Sequence, residues 1–248
     1  MTAQPNCFKK KLLHVTKLAF AIIVAASTIL TSKAASFYWT GTGSTASAPA
    51  GGNWDNATTD WSTTPTGLTG TAWGAAGSLA YFGGADGTYS VSVNATVNKP
   101  LDMVFNNSGY TLLNTTTPQT ISFNGNGSGA APNIVVAAGK VATIGTNITI
   151  TGATLLWGFT NSGVGGELDI QNGGTLTGTG GTVGMVGAGT VTSVKPGGKL
   201  IHNAGAAGSF LLGSTINDNC TLSVDGGTVS ISANNSGVKV GGNSSAVV

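Results

Sequence analysis

The sequence predicts an all-β chain coiled as a parallel β-helix, a β-solenoid. Three observations carry that reading. Short β-branched runs recur along the chain, glycine pairs punctuate them, and a stretch of the second half repeats at an offset of 54 or 55 positions. The runs include Tyr89-Ser-Val-Ser-Val93, Gln119-Thr-Ile-Ser-Phe123, Ile134-Val-Val136, Asn147-Ile-Thr-Ile150 and Leu222-Ser-Val224. Each shows the period of two, or the short apolar run, of a half-buried strand. No stretch places apolar residues at i, i+3, i+4 and i+7, so no helix is expected beyond Ala34. Gly173-Gly174, Gly197-Gly198, Gly226-Gly227 and Gly241-Gly242 mark turns, because glycine reaches positive φ at low cost. Short strands between such turns suit a barrel, a sandwich or a solenoid.

The repeat favours the solenoid. Leu156-Trp157-Gly158 matches Leu211-Leu212-Gly213, and Val186-Gly187 matches Val240-Gly241. Leu168-Asp-Ile-Gln-Asn-Gly-Gly-Thr-Leu176 matches Leu222 to Val229 once one residue is gapped. A fixed period of this order indicates units that stack on their neighbours. Coils of roughly 20 residues would make the period two or three rungs. Within the motif, Leu168 and Ile170 are expected to point inward, with Glu167, Asp169 and Gln171 toward solvent. The second copy stops at Val248 without a capping pattern, so a fragment of a longer chain or a truncated reading frame is expected.

The segment from Met1 to Ala34 reads as a secretory signal peptide. Lys9, Lys10, Lys11 and Lys17 form a basic segment before the uncharged run Leu18 to Leu30. Ser32-Lys33-Ala34 supplies small residues before a cleavage site between Ala34 and Ala35. Thirteen helical residues rise about 20 Å, short of a hydrocarbon core of roughly 30 Å, which argues against a membrane anchor.

Composition narrows function. The chain has 248 residues, 40 of them glycine, and only 7% are charged. Its formal charge is +2, all ten basic residues are lysines, and arginine is absent. Removing the segment up to Ala34 leaves five lysines against eight acids, a formal charge of −3. Without arginine and with few lysines there is no nucleic-acid footprint. Sugar acids and phosphates likewise lose their usual bidentate partner. The two cysteines, Cys7 and Cys220, exclude a disulfide scaffold or a Cys-rich zinc site.

Residues 35–115 are aromatic-rich. They hold Trp39, Trp54, Trp61 and Trp73, in the order Phe37-Tyr-Trp39-Thr-Gly-Thr-Gly43, Gly51-Gly-Asn-Trp54, Asp60-Trp61, Thr71-Ala-Trp73 and Ala80-Tyr-Phe-Gly-Gly-Ala-Asp-Gly-Thr88. This order resembles the N-terminal start of secreted autotransporter-associated β-strand repeat proteins. Their opening W-x-G-x-G, N-W and T-A-W elements precede an A-x-F-x-G-x-x-G-T hairpin and Gly-rich β-repeats. Gly226-Gly-Thr-Val229 and Gly181-Thr-Val183 are similar to those repeats. The resemblance spans residues 35–248. It implies a right-handed parallel β-helix passenger, secreted or held at the cell surface in association with the outer membrane. Three segments follow: a signal peptide (1–34), an aromatic-rich N-terminal cap with the first rungs (35–115), and Gly-rich β-helix repeats, incomplete at the C-terminus (116–248).

Chemistry is sparse. Trp54, Trp61 and Trp73 are either a glycan-stacking platform or a plug for the first rung, and the plug is favoured because solenoid ends need cover. Glu167 and Asp169, about 7 Å apart along one strand face, suit a glycosidase carboxylate pair or, as favoured here, a solvated surface. His202 and Cys220 form a nucleophile–base pair only on paper, since nothing around Cys220 matches a nucleophile signature. No calcium nonapeptide, G-x-S-x-G, H-E-x-x-H or phosphate loop is present. The expectation is a non-enzymatic adhesion or display protein with no cofactor and no metal. Its expected partners are surface glycans or host and matrix surfaces. Contact with a membrane is expected only through the signal segment or a missing C-terminal anchor. The alternative is a secreted carbohydrate-active protein, either a glycan-binding module or a β-helical polysaccharide hydrolase.

Overall fold

The computed structural model describes residues 34–74, 77–98, 100–123, 132–158, 165–203, 208–213, 218–232, 238–241 and 244–247. The basic segment and apolar run of the signal reading lie outside these residues. The described chain is a parallel β-solenoid without helices. Its strands fall into three sheets.

The first sheet holds β1 (Ser36–Trp39), β3 (Trp61–Ser62), β4 (Leu79–Phe82), β7 (Asp102–Phe105), β10 (Asn133–Val136), β13 (Leu155–Gly158), β16 (Val183–Val186), β19 (Phe210–Leu212) and β22 (Val238–Val240). The second holds β2 (Gly52–Trp54), β5 (Tyr89–Val93), β8 (Tyr110–Leu113), β11 (Val141–Ile144), β14 (Glu167–Ile170), β17 (Val191–Val194), β20 (Thr221–Val224) and β23 (Ser245–Val247). The third holds β6 (Val97–Asn98), β9 (Gln119–Phe123), β12 (Ile148–Gly152), β15 (Thr175–Gly178), β18 (Lys199–Asn203) and β21 (Thr228–Ser232). From β4 to β21 each coil gives one strand to each sheet, and every strand pairing is parallel except β1 with β3.

The register settles what the repeat is. Leu156 pairs with Gly184 and Gly184 with Leu211, so the sequence repeat spans two successive coils. Leu168, Thr192 and Leu222 make the same two steps in the second sheet. The match of Val186 with Val240 is one residue out, because Val240 stands two coils above Met185.

Alternation builds the core. Ile121, Ile150, Leu176 and Leu200 stack in register and are buried, and Val229 above them is partly buried. Between them point Thr120, Thr149 and Thr175 in one outward column, and Ser122, Thr151 and Thr177 in the next. β-branched threonine suits this pleated, half-exposed surface and keeps it polar without charge.

The turns explain the glycine pairs. At Gly197-Gly198 the first residue has φ +77°, and a Cβ on the second would sit 2.0 Å from the Ile170 carbonyl one coil below. One glycine supplies the conformation, and the other lets two backbones meet. Asn147, expected inside a strand, instead turns the chain with φ 58°, since asparagine tolerates that region. Asp169, expected in solvent, is buried at 6% exposure. Thr143 and Ser193 flank it on adjacent coils, and Lys195 closes over it.

At the opposite end from β22, the aromatic residues pack on one another. Trp39, Trp54 and Trp61 have no exposed surface and Trp73 is 6% exposed. Trp54 meets Trp61 and Trp73 edge to face at 5.2 and 5.1 Å, the favoured arrangement for aromatic pairs. Phe82 joins them and stacks on Phe105 at 4.6 Å. At β22 and β23, by contrast, Val238, Val240 and Val247 are more than half exposed.

Candidate functional site

Few charged side chains meet one another among the described residues, and those that do define the candidate site. On the outer face of the second sheet, Glu167 and Asp169 project from β14, Ser193 from β17 in the next coil, and Lys195 from the residue after β17. Lys195 Nζ donates to Asp169 Oδ2 at 2.5 Å. Ser193 Oγ donates to Glu167 Oε1 at 2.5 Å. Glu167 stands two positions before Asp169 on the same face of β14, near enough to disfavour its charge. Asp169 Oδ1 is buried and meets no hydrogen-bond partner.

Burial holds the Asp169 carboxyl above its usual range, with Lys195 pulling it down and Glu167 pushing it further up. The contact with Asp169 raises the Lys195 ammonium, against a smaller opposing effect of burial. Asp225, one coil above Lys195, adds attraction. The cluster is therefore a closed network of two acids, a hydroxyl and an ammonium. The glycosidase geometry anticipated from the sequence needs carboxyls about 5 Å apart or more, with room for sugar or water between them. Here Ser193 holds one carboxyl and Lys195 covers the other.

Trp54, Trp61 and Trp73 lie together, but inside. Their ring faces meet other rings, and their indole N–H groups are buried without acceptors. A sugar stacks on an open ring face, and these rings present none in this conformation.

His202 and Cys220 are not hydrogen-bonded to one another. The Cys220 thiol donates to the Gly187 carbonyl at 3.3 Å. Burial, helped by Asp218, pushes it up to about 11, which keeps it protonated and unreactive. His202 points into the core above Gly178, with Phe210 tilted beside it at 6.1 Å, and neither ring nitrogen has a partner.

Burial alone lowers the His202 pKa below its usual value, so charging it opposes folding. Its neutral form is compatible with the fold above the unfolded imidazole pKa of about 6.5. Stability is lost as pH falls from there toward the folded-state pKa. His202→Leu is expected to remove that loss, and to match or exceed the parent at pH 7.5, because two unpaired polar atoms disappear. Thermal unfolding of both chains between pH 7.5 and 5 checks this. An equal decline in both would exclude His202 as the cause.

Sequence reasoning missed Ser193 and Lys195 as partners of the acids. The signal was present only in the register of two adjacent coils, which pairs Asp169 with Ser193. Lys140 and Asp86 form a second ion pair at 2.8 Å, but on an exposed surface. Among the described residues no group of three or more His, Cys, Asp or Glu stands together as a metal site. Among them, too, no helix is long and apolar enough to cross a membrane.

The class defined by this geometry is the parallel β-solenoid. Compared with known proteins, the chain matches no family model, no curated protein and no solved structure.

Proposed function

We propose that this chain is the exported, non-enzymatic β-helix of a surface or extracellular protein, acting by adhesion or display in the manner of an autotransporter passenger. The observation that carries the proposal is the stack itself. Three continuous sheets of nine, eight and six strands present a long, regular outer surface with uncharged columns of Thr and Ser. Such a scaffold suits holding many weak contacts at fixed spacing along a surface, with glycans or matrix as the partners. In this reading the coil is right-handed and the tryptophan cluster is the N-terminal cap that hides the first rung. The segment before Ala35 is then a signal helix that is cut away. The resemblance of residues 35–248 to secreted β-strand repeat proteins supports the same picture.

The carbohydrate-active alternative has less behind it. Its tryptophans are covered, and its two carboxyls are engaged by Ser193 and Lys195.

Export gives the direct test. Expressed in a Gram-negative host, the full chain is expected to leave the cytoplasm and to begin at Ala35 by N-terminal sequencing. A cytoplasmic product retaining Lys9 to Lys17 would overturn the proposal. So would hydrolysis of a polysaccharide by the purified protein that Asp169→Asn abolishes.

A further inference from the structure

We propose that Lys195 and Asp169 join in an intramolecular isopeptide bond, with Glu167 as the proton carrier. Three features of the cluster point to this chemistry. The nucleophile already touches its target, since Nζ lies 2.5 Å from Asp169 Oδ2. The target is buried at 6% exposure, and Glu167 projects from the same face of β14 two residues away, its Oε1 held by Ser193 Oγ. All three groups are held on adjacent coils by parallel pairing of β14 with β17, so the reacting atoms start in contact.

A free ammonium does not attack a carboxylate, because it has no lone pair to give and the carboxylate resists addition. The burial of Asp169 answers the second obstacle, while the raised Lys195 ammonium leaves the first to proton transfer within the contact. That burial favours the uncharged acid, and passage of one ammonium proton to that carboxyl leaves a neutral amine beside it.

The step balances without an oxidant or reductant. The Nζ lone pair attacks Asp169 Cγ, and an N–C bond forms. Glu167 takes a proton from the nitrogen and returns it to the departing oxygen. The C–O bond breaks and that oxygen leaves as water, carrying the two protons the nitrogen has lost. What remains is an amide between the coil of β14 and the turn after β17. It closes a loop across a separation of 26 residues, and such a closure limits the unfolded chain as a disulfide would. Among the described residues the one thiol, Cys220, is free and buried, so no disulfide serves that purpose there.

The second ion pair supplies an internal control. Lys140 and Asp86 touch at 2.8 Å, but the Asp86 carboxyl is exposed where that of Asp169 is buried, and the other partners of Asp86 are Ser108 and Asn107 rather than a carboxyl. That pair is expected to stay ionic.

The test is the mass of the folded full chain. Trypsin cuts after Lys140 and Lys199, and the Lys195–Pro196 bond resists it, so residues 141–199 emerge as one peptide. This peptide is expected to be lighter than its sequence by one water. It is also expected to give no backbone fragments between residues 169 and 195, because the loop holds them together. Lys195→Arg and Asp169→Ala are each expected to restore the full mass. Glu167→Gln, which keeps both reacting groups, is expected to slow linkage by about a hundredfold or more, read as linked fraction against time. Folding of each variant is followed by circular dichroism. A parent protein that is folded, yet yields the 141–199 peptide at full mass after prolonged incubation, overturns the proposal. A deficit that persists in Lys195→Arg overturns it equally.

Discussion

Trp61→Ala is expected to destabilise the protein by about 3–5 kcal/mol, the range for removing a large buried aromatic side chain. Trp61 has no exposed surface, and it contacts Trp39, Trp54, Trp73 and Phe82 at centroid distances of 5.1, 5.2, 4.9 and 5.6 Å. It also belongs to β3, the strand that pairs antiparallel with β1 at the edge of the first sheet. Its loss therefore empties the centre of the cluster and loosens the edge together. In a solenoid each coil is supported only by its neighbours, so the damage should begin at this end and weaken with distance. Urea unfolding followed by tryptophan fluorescence measures the loss, and hydrogen exchange locates it. Trp61→Phe, which keeps most of the apolar area, should cost much less. A Trp61→Ala chain of unchanged stability that has lost binding to glycans would make this ring a ligand contact instead of a structural one.

Gly109→Ala is expected to cost roughly 2–5 kcal/mol, adding left-handed strain to the cost of overpacking. Gly109 has φ +96°, and an added Cβ would fall 1.6 Å from the Gly87 carbonyl oxygen. That oxygen belongs to the coil below, while the Gly109 N–H bonds Val141 in the coil above at 3.1 Å. Neither neighbour is the flexible end of a side chain, so two coils must part. Gly139 provides the comparison. Its φ is +67°, but an added Cβ meets nothing within 4 Å, so Gly139→Ala should cost only the conformational part, about 1–2 kcal/mol. Denaturant midpoints of the two variants separate these contributions. Equal losses would show that the close approach of coils at Gly109 carries no energy.

The same two positions show what a reader of the chain can and cannot see. Both are glycines near strand starts, and nothing local distinguishes them. The collision at Gly109 exists because Gly87, far back in the sequence, lies directly beneath it. Strands were legible because alternation is local: the runs at 89–93 and 119–123 coincide with β5 and β9. The turn pairs were legible because glycine announces positive φ. Asn147 was misread because asparagine also reaches that region while looking like the first residue of a strand.

The candidate site divides in the same way. Glu167 and Asp169 stood out as acids two positions apart, and the expected reading was a solvated face. Alternation placed them on the outside correctly, but facing out of the sheet is not the same as facing water. Lys195 is 26 residues away and is brought over Asp169 only by the stacking of β17 on β14. That contact turns a surface carboxylate into a buried, partnered one.

What the chain alone determined is its β character, its turns, its scarcity of charge and its repeat at an offset of 54 or 55, because each is written in residue types at short range or in plain self-similarity. What only the tertiary structure decided is the lateral register of one coil on the next. It makes a core of the tryptophans and joins Lys195 to Asp169. The reason is physical: hydrogen bonds between stacked coils link residues far apart in the sequence, and their loops differ in length from coil to coil. The pairing is therefore chosen by the packing of whole rungs and not by any local preference.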